Sequence, residues 1–424
     1  LTAHEIICFW VARMIIMGLK FMGDVPFSDF YIHPMVFDEK TKKKMSKSLG
    51  NIIDPIEMIE KYGTDAMRMT LCAYAVKGSN LYLSEERFQG YRNFMNKFWN
   101  SARFVLMNTE DLTSEDLANG LDEDALRIED RWILGELHKL VEQIDASLTE
   151  YEFDQYVHKL YHFVWGEYCD WYLELVKGRL YSDDPADAAS GKNAQIVLVT
   201  VLEALLRLLH PATPFITEEV WQRIRERYEG LPEDAPLGVG RALKADSIII
   251  ASWPEAADYP ASDQTVATKM QTVQEAVTAL RKIRSEMTVP PSRKVDVTVR
   301  STDSEALGLM REQAHHLEAL ARIGKLEFAE GESGESKGVT ATAVVGPVEL
   351  SVALPPELIE AEKQRLQKEI ENLEKGMIGA KKKLENPNFV EKAPEKVVNL
   401  ERERLEKAEQ EVAVLRERLE KISG

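Results

Sequence analysis

The sequence predicts a multidomain, mainly α-helical protein that carries one small α+β unit and ends in a helical hairpin. Three observations predict it. Apolar residues recur at helical spacing through residues 88–228. Alternating runs at 295–299 and 344–352 stand apart from that pattern and read as strands. Beyond Pro355, two heptad stretches flank a break at Asn386-Pro387-Asn388.

The bulk numbers fit several domains. A chain of 424 residues has room for two to four of them, and 44 % hydrophobic content supplies their cores. No apolar run reaches the ~18 residues of a membrane-spanning helix, so no membrane association is expected. Cys8, Cys72 and Cys169 lie far apart with no CxxC spacing. That supports neither a zinc site nor a disulfide framework and points to a reducing, cytoplasmic compartment. A net charge of −18 argues against general affinity for polyanions, so nucleic acid would have to meet local basic patches. The chain opens on Leu1-Thr2-Ala3 with no initiator Met and no targeting signal, and reads as a piece of something longer.

Residues 2–21 place apolar groups at Ile7, Trp10, Val11 and Met14, which predicts a largely buried helix. Residues 30–37 read as a short strand leading into a loop. Five lysines fall between Lys40 and Lys47 there, accompanied by Ser46, Ser48, Gly50 and Asn51. A concentrated, flexible group of ammonium charges suits a polyphosphate whose charge moves during a reaction; a solvated turn is the plainer alternative. Residues 91–104 set Tyr91, Phe94, Met95, Phe98 and Ala102 on one face and Asn, Lys and Arg on the other. Residues 110–130 hold nine carboxylates and one arginine, and are expected to form a solvated loop. Further helices are predicted over 132–148, 154–178 and 193–210, then one ending near Arg227 after the prolines at 211 and 214. His158 and His162 have an i, i+4 spacing that a metal could use, but no third ligand is evident; with His210 they are expected to be core or capping residues.

Residues 248–253 read as extended and 254–262 as a loop. A helix over 265–286, with Ala276, Ala279, Leu280 and Ile283 as its stripe, then opens the α+β unit. Arg281, Lys282, Arg284, Arg293 and Lys294 form that unit's basic patch, a possible RNA contact or an ordinary helix surface. In the tail, Ile359, Leu366, Ile370, Leu373, Met377, Ala380 and Leu384 keep heptad spacing, as do Leu405, Ala408, Val412, Leu415, Leu419 and Ile422. The expected product is an antiparallel coiled-coil hairpin that satisfies its own seam. Residues 355–424 carry fifteen Lys and Arg against sixteen Glu, so this part repels RNA far less than the body.

Lys44-Met45-Ser46-Lys47-Ser48, followed by Gly50-Asn51, resembles the signature loop of class I aminoacyl-tRNA synthetases. Ile53-Asp54-Pro55 and Tyr62-Gly63-Thr64-Asp65-Ala66-Met67-Arg68 resemble the segment that follows it in the subclass activating Val, Ile, Leu and Met. Residues 2–14 are similar to the valyl segment Thr-Gly-x-Asp-Ile-Ile-x-x-Trp-Val-x-Arg-Met, with Ala3 in place of Gly and Glu5 in place of Asp. The terminal hairpin also resembles the valyl branch, and isoleucyl relatives often end in zinc-binding cysteines that are lacking here. The resemblance implies ATP-dependent activation of valine and its transfer to tRNA(Val).

In that scheme Lys47, assisted by Lys44, stabilises the departing pyrophosphate. Glu5, Lys44, Met45, Ser46, Lys47 and Ser48 meet ATP, which brings its magnesium, and Ile6 and Trp10 line the amino-acid pocket. Arg87, Lys97, Arg103, Phe104, Lys381, Lys382 and Lys383 meet tRNA. No structural metal is implied, and a monomer is expected.

The implied domains are 1–86, the C-terminal part of a Rossmann-type catalytic domain; 87–255, a helical anticodon-binding domain; 256–354, the α+β domain; and 355–424, a coiled-coil tRNA-binding arm. No His-x-Gly-His pair occurs, so the first half of the catalytic domain and the editing insertion are expected to lie outside this chain. A non-catalytic tRNA-binding module and an isoleucyl- or leucyl-type fragment are the alternatives.

Overall fold

A computed structural model describes residues 1–45, 52–331, 340–353 and 356–385, and, with gaps, residues 402–419. Contacts divide the chain into two compact units, residues 1–267 and 268–424.

The first unit begins with a bridge between Thr2 and Ile32 and a single helical turn, His4–Ile6. Helix α1 (Val11–Met17) follows and runs on into a wider turn, Gly18–Met22. Gly23, at φ 72°, ends it in the left-handed region that glycine tolerates best. The expectation of a largely buried helix is not met. Only Val11 of α1 is buried, while Phe9 is 63 % and Trp10 53 % exposed. The periodicity correctly indicates an apolar face, but among the described residues only part of it, at Val11 and Ile7, is covered.

The strand expected over 30–37 is shorter and later. Strand β1 (Val36–Asp38) pairs in parallel with β2 (Leu81–Leu83), and between them lie α2 (Pro55–Tyr62) and α3 (Thr64–Ala73). Asp54 caps α2 by accepting from the Ile56 N–H at 2.8 Å, and Pro55 occupies the first turn, where a missing N–H costs nothing.

The helical bundle then builds from α4 (Glu85–Asn108), α5 (Ser114–Asn119), α6 (Ile128–Thr149), α7 (Phe153–His162), α8 (Leu173–Leu180), α9 (Ala188–Leu209), α10 (Pro214–Arg227) and the short α11 (Val239–Leu243). A π-helical stretch, Phe163–Tyr172, joins α7 to α8 without a break. Helix α9 is the centre of the bundle, with 18 of its 22 residues buried.

The acidic segment is only partly the solvated loop expected. It contains α5, and its last two carboxylates, Glu129 and Asp130, are buried. Asp130 accepts two hydrogen bonds from the Arg179 guanidinium at 2.6 and 2.7 Å and one from the Tyr172 hydroxyl at 2.8 Å. Burial pushes the Asp130 carboxyl up while Arg179 pulls it down, so the pair is stable only as a unit. Residues 248–250 form a helical turn instead of an extended segment. His210 sits at the end of α9 against the Thr217 hydroxyl at 2.8 Å, a joint between helices. His158 is half-buried and His162 exposed, so the latter is not a core residue.

In the second unit, α12 (Gln264–Glu286) buries Met270, Val273, Ala276, Val277, Leu280 and Ile283 along one stripe. It is followed by β3 (Val295–Ser301), α13 (Ser304–Glu312), α14 (Ala314–Ala321), β4 (Ile323–Glu330), β5 (Thr340–Val345) and β6 (Val348–Ala353). The sheet order is β4-β3-β6-β5, with β3 and β4 parallel and the other pairs antiparallel. The single strand expected over 344–352 is thus a hairpin that turns at Gly346, where φ is 53°.

Helix α15 (Pro356–Leu384) begins the terminal arm. Leu366, Ile370 and Val412 are buried on the expected heptad positions. Glu374 pairs with Arg416 at 2.6 Å and Lys381 with Glu409 at 2.9 Å. One partner climbs seven residues as the other descends seven, which is antiparallel pairing of two helical segments.

Candidate functional site

Two segments distant in sequence meet at Lys44. After β1 the chain turns back so that Lys44 bridges Phe37, with the Asp38 N–H donating to the Lys43 carbonyl at 2.9 Å and the Met45 N–H to the Val36 carbonyl at 3.1 Å. The turn is tight: Lys42 has φ 56°, and the Asp38 carboxylate accepts from the Thr41 N–H at 2.6 Å. This fold-back delivers the Lys44 ammonium to within 2.8 Å of the Glu5 carboxylate. The hydrogen bond from Lys44 holds the Glu5 carboxyl below its usual range. Ala3, just upstream, adopts φ −90° and ψ 152°, ordinary extended angles, so alanine there costs nothing.

Both ends of the lysine loop rest on one small core. Met45 on one side and Ile53 on the other pack against a cluster of Met58, Leu81, Leu83 and Phe88. Ser46, Lys47 and Ser48 lie outside the described residues. Ile6 shares the helical turn with Glu5 and is 38 % exposed; Trp10 projects outward with the Arg13 guanidinium 5.4 Å from its ring. A cavity of 1020 Å³ opens beside this segment, walled by His4, Tyr31, His33, Lys77, Asn80 and Phe153 among others, but Ile6 and Trp10 are not in its wall.

The residues expected to meet tRNA are scattered along α4 and the arm. Arg87, in the first turn of α4, donates to Glu39 through Nε at 3.2 Å and a terminal nitrogen at 2.6 Å, and lies 3.9 Å from the Tyr74 ring centre. That fork pushes the Glu39 carboxyl down to about 2. Lys97 pairs with Asp170 and sits 4.1 Å from the Trp165 ring, which stacks on Tyr161. Arg103 is exposed, whereas Phe104 is half-buried with the Lys177 ammonium 5.7 Å from its ring. Lys382 and Lys383 lie exposed beside the paired Lys381. Sequence reasoning did not single out Glu39 or Glu85, whose partners are 48 and 24 residues away, a separation no local pattern reveals.

Comparison with known proteins bears on each part. Residues 1–84 match the family described as tRNA synthetases class I (I, L, M and V), residues 130–299 the anticodon-binding domain of tRNA ligase, and residues 359–423 the valyl tRNA synthetase tRNA binding arm. The valine--tRNA ligase of Syntrophotalea carbinolica is 42 % identical over 424 residues, covering 100 % of this chain and 44 % of that protein. That of Geobacter sulfurreducens is 43 % identical, covering 99 % of this chain and 45 % of its own length. That of Thermotoga maritima is 40 % identical, covering 95 % and 42 % respectively. The chain therefore spans less than half the length of the curated relatives it matches, and it belongs to the class I tRNA synthetases of the valine--tRNA ligase family.

Proposed function

We propose that this chain forms the C-terminal portion of a valine--tRNA ligase, which activates valine with ATP and transfers it to tRNA(Val). The observation that carries the reading is the meeting of Lys44 and Glu5, which joins the lysine loop to the segment that resembles the ATP-ribose and amino-acid pocket. Lys47 and Lys44 neutralise the charge that builds on pyrophosphate as the adenylate forms, an interaction strongest in the transition state. Glu5 accepts from the ribose hydroxyls, and Ile6 and Trp10 border the valine side chain. Magnesium arrives with ATP on its phosphates. The outer face of α4, with Arg103 exposed and Lys97 beside Trp165, offers the cation-plus-ring chemistry that unstacked RNA bases favour. Residues 87–255 act as the anticodon-binding domain, and the arm from 355 onward holds tRNA through Lys381, Lys382 and Lys383. The protein acts as a monomer in the cytoplasm.

The decisive experiment is amino-acid-dependent ATP–pyrophosphate exchange by the full-length parent, comparing Val, Ile, Leu and Met. Valine-selective exchange is expected, and Lys47→Ala should abolish most of it while sparing tRNA binding. Exchange unchanged by Lys47→Ala would reject the role given to the loop. This chain alone should form no valyl adenylate.

A further inference from the structure

The first turn of α4 touches both flanks of the lysine loop. Before the loop, Glu39 lies on the turn that returns the chain toward Lys44. Arg87 holds it with a two-pronged hydrogen bond and is itself backed by the Tyr74 ring. The Glu39 N–H donates to the Leu83 carbonyl at 3.0 Å, so the same residue is fixed at its backbone by β2. Lys40 adds a looser pair with Glu86 at 3.7 Å. After the loop, Glu85 accepts from the Tyr62 hydroxyl at 2.8 Å and pairs with Lys61, both at the end of α2. Phe88, one residue beyond Arg87, is buried in the cluster on which Met45 and Ile53 rest. Three consecutive residues and the ring behind them thus set the spacing between the loop's two anchors.

Resting on the function proposed above, we propose that Arg87, with Glu85 and Glu39, is a positioning residue for valine activation: a bracket on the first bundle helix that fixes where the lysine loop starts and ends. Arg87 commits Nε and one terminal nitrogen to Glu39 and a face to the Tyr74 ring, and its side chain is only 24 % exposed. A guanidinium used this way fixes an angle as well as a charge, which lysine cannot reproduce. Because the loop works by placing charge where the transition state develops it, a shift of its anchor of about 1 Å is enough to slow the chemical step by ten- to a hundredfold.

The test uses ATP–pyrophosphate exchange by the full-length parent, with no tRNA present. Arg87→Gln and Glu39→Gln should each lower the turnover number about tenfold or more per active site by titration, with KM for valine changed less than about twofold. The double variant should be no worse than either single one, because both remove the same bracket. Arg87→Lys should recover only part of the loss, and because Arg87 is engaged by Glu39 and Tyr74 in place of the tRNA contact the resemblance implies for it, tRNA dissociation constants should stay at the wild-type value. Full exchange by Arg87→Gln together with weakened tRNA binding would overturn the proposal and make Arg87 a phosphate contact. Losses that multiply in the double variant, or that vanish once active sites are counted, would overturn it too. A wild-type parent that shows no valine-dependent exchange would strike down the functional reading beneath it, a result distinct from all of these.

Discussion

Helix α9 and the segment around α1 are both rich in large apolar residues, yet their surroundings are opposite. Along α9 every residue from Asn193 to Leu209 is buried, including the Glu203–Arg207 pair, whose members also reach Trp221 and the Ser252 carbonyl. Around α1, Phe9, Trp10, Ile16, Met17 and Phe21 are all more than half exposed. The difference teaches that a stripe of apolar residues specifies a helix that wants covering, and tertiary context alone decides whether it is covered. The bundle is a finished core. Among the described residues the opening segment is left largely exposed, and polar links such as Thr2 to Tyr31 and Glu5 to Lys44 tie it to its neighbours.

The comparison can be broken or sharpened by substitution, from the largest effect to the smallest. Arg179→Ala leaves Asp130 and Glu129 buried without their cation. It should cost about 3–5 kcal/mol in urea-monitored unfolding; a loss under about 1 kcal/mol would mean water reaches that site. Leu206→Ala, in the last turn of α9 and fully buried, should cost about 2–5 kcal/mol by the same measurement, with the spread set by how far its neighbours relax. Acid should act on the Glu39–Arg87 fork. The folded carboxyl titrates at about 2 against an ordinary 4.5, so its contribution is complete above 4.5 and is lost as pH falls from there through about 2. Following Tm from pH 6 to pH 2 in wild type and Glu39→Gln should show the two curves converging at the acid end. Trp10→Ser should change stability by less than about 0.5 kcal/mol, since its ring is mostly in water already. A large loss there would show that the ring is packed after all and that the contrast with α9 is weaker than it looks.

How much of this was legible in the sequence follows the same division. The bundle helices, the stripe of α12 and the arm's heptads were readable because apolar spacing is a local property. The lysine segment stood out through Lys44-Met45-Ser46-Lys47-Ser48 and Gly50-Asn51, which resemble the class I synthetase signature; lysine count alone would read as a solvated turn. Burial of Glu129 and Asp130 was not readable, because their cation comes from Arg179, on a helix some fifty residues later. The same applies to Glu39, which reads as one more solvated acid until Arg87 is seen to grip it. The hairpin at Gly346 was missed because the apolar alternation runs on past a two-residue turn, although the Gly346-Pro347 pair is a turn signal that could have revealed it.

The ion pairs of the terminal arm carry a consequence for its register. Sliding one helical segment past the other by seven residues would keep the apolar seam matched, so the seam alone does not choose among such alignments. The charges do. A slip in one direction sets Glu374 against Glu409, and a slip in the other sets Lys381 against Arg416. Either misalignment meets repulsion where the native one has attraction, so charge as well as the apolar seam selects the register of the two segments.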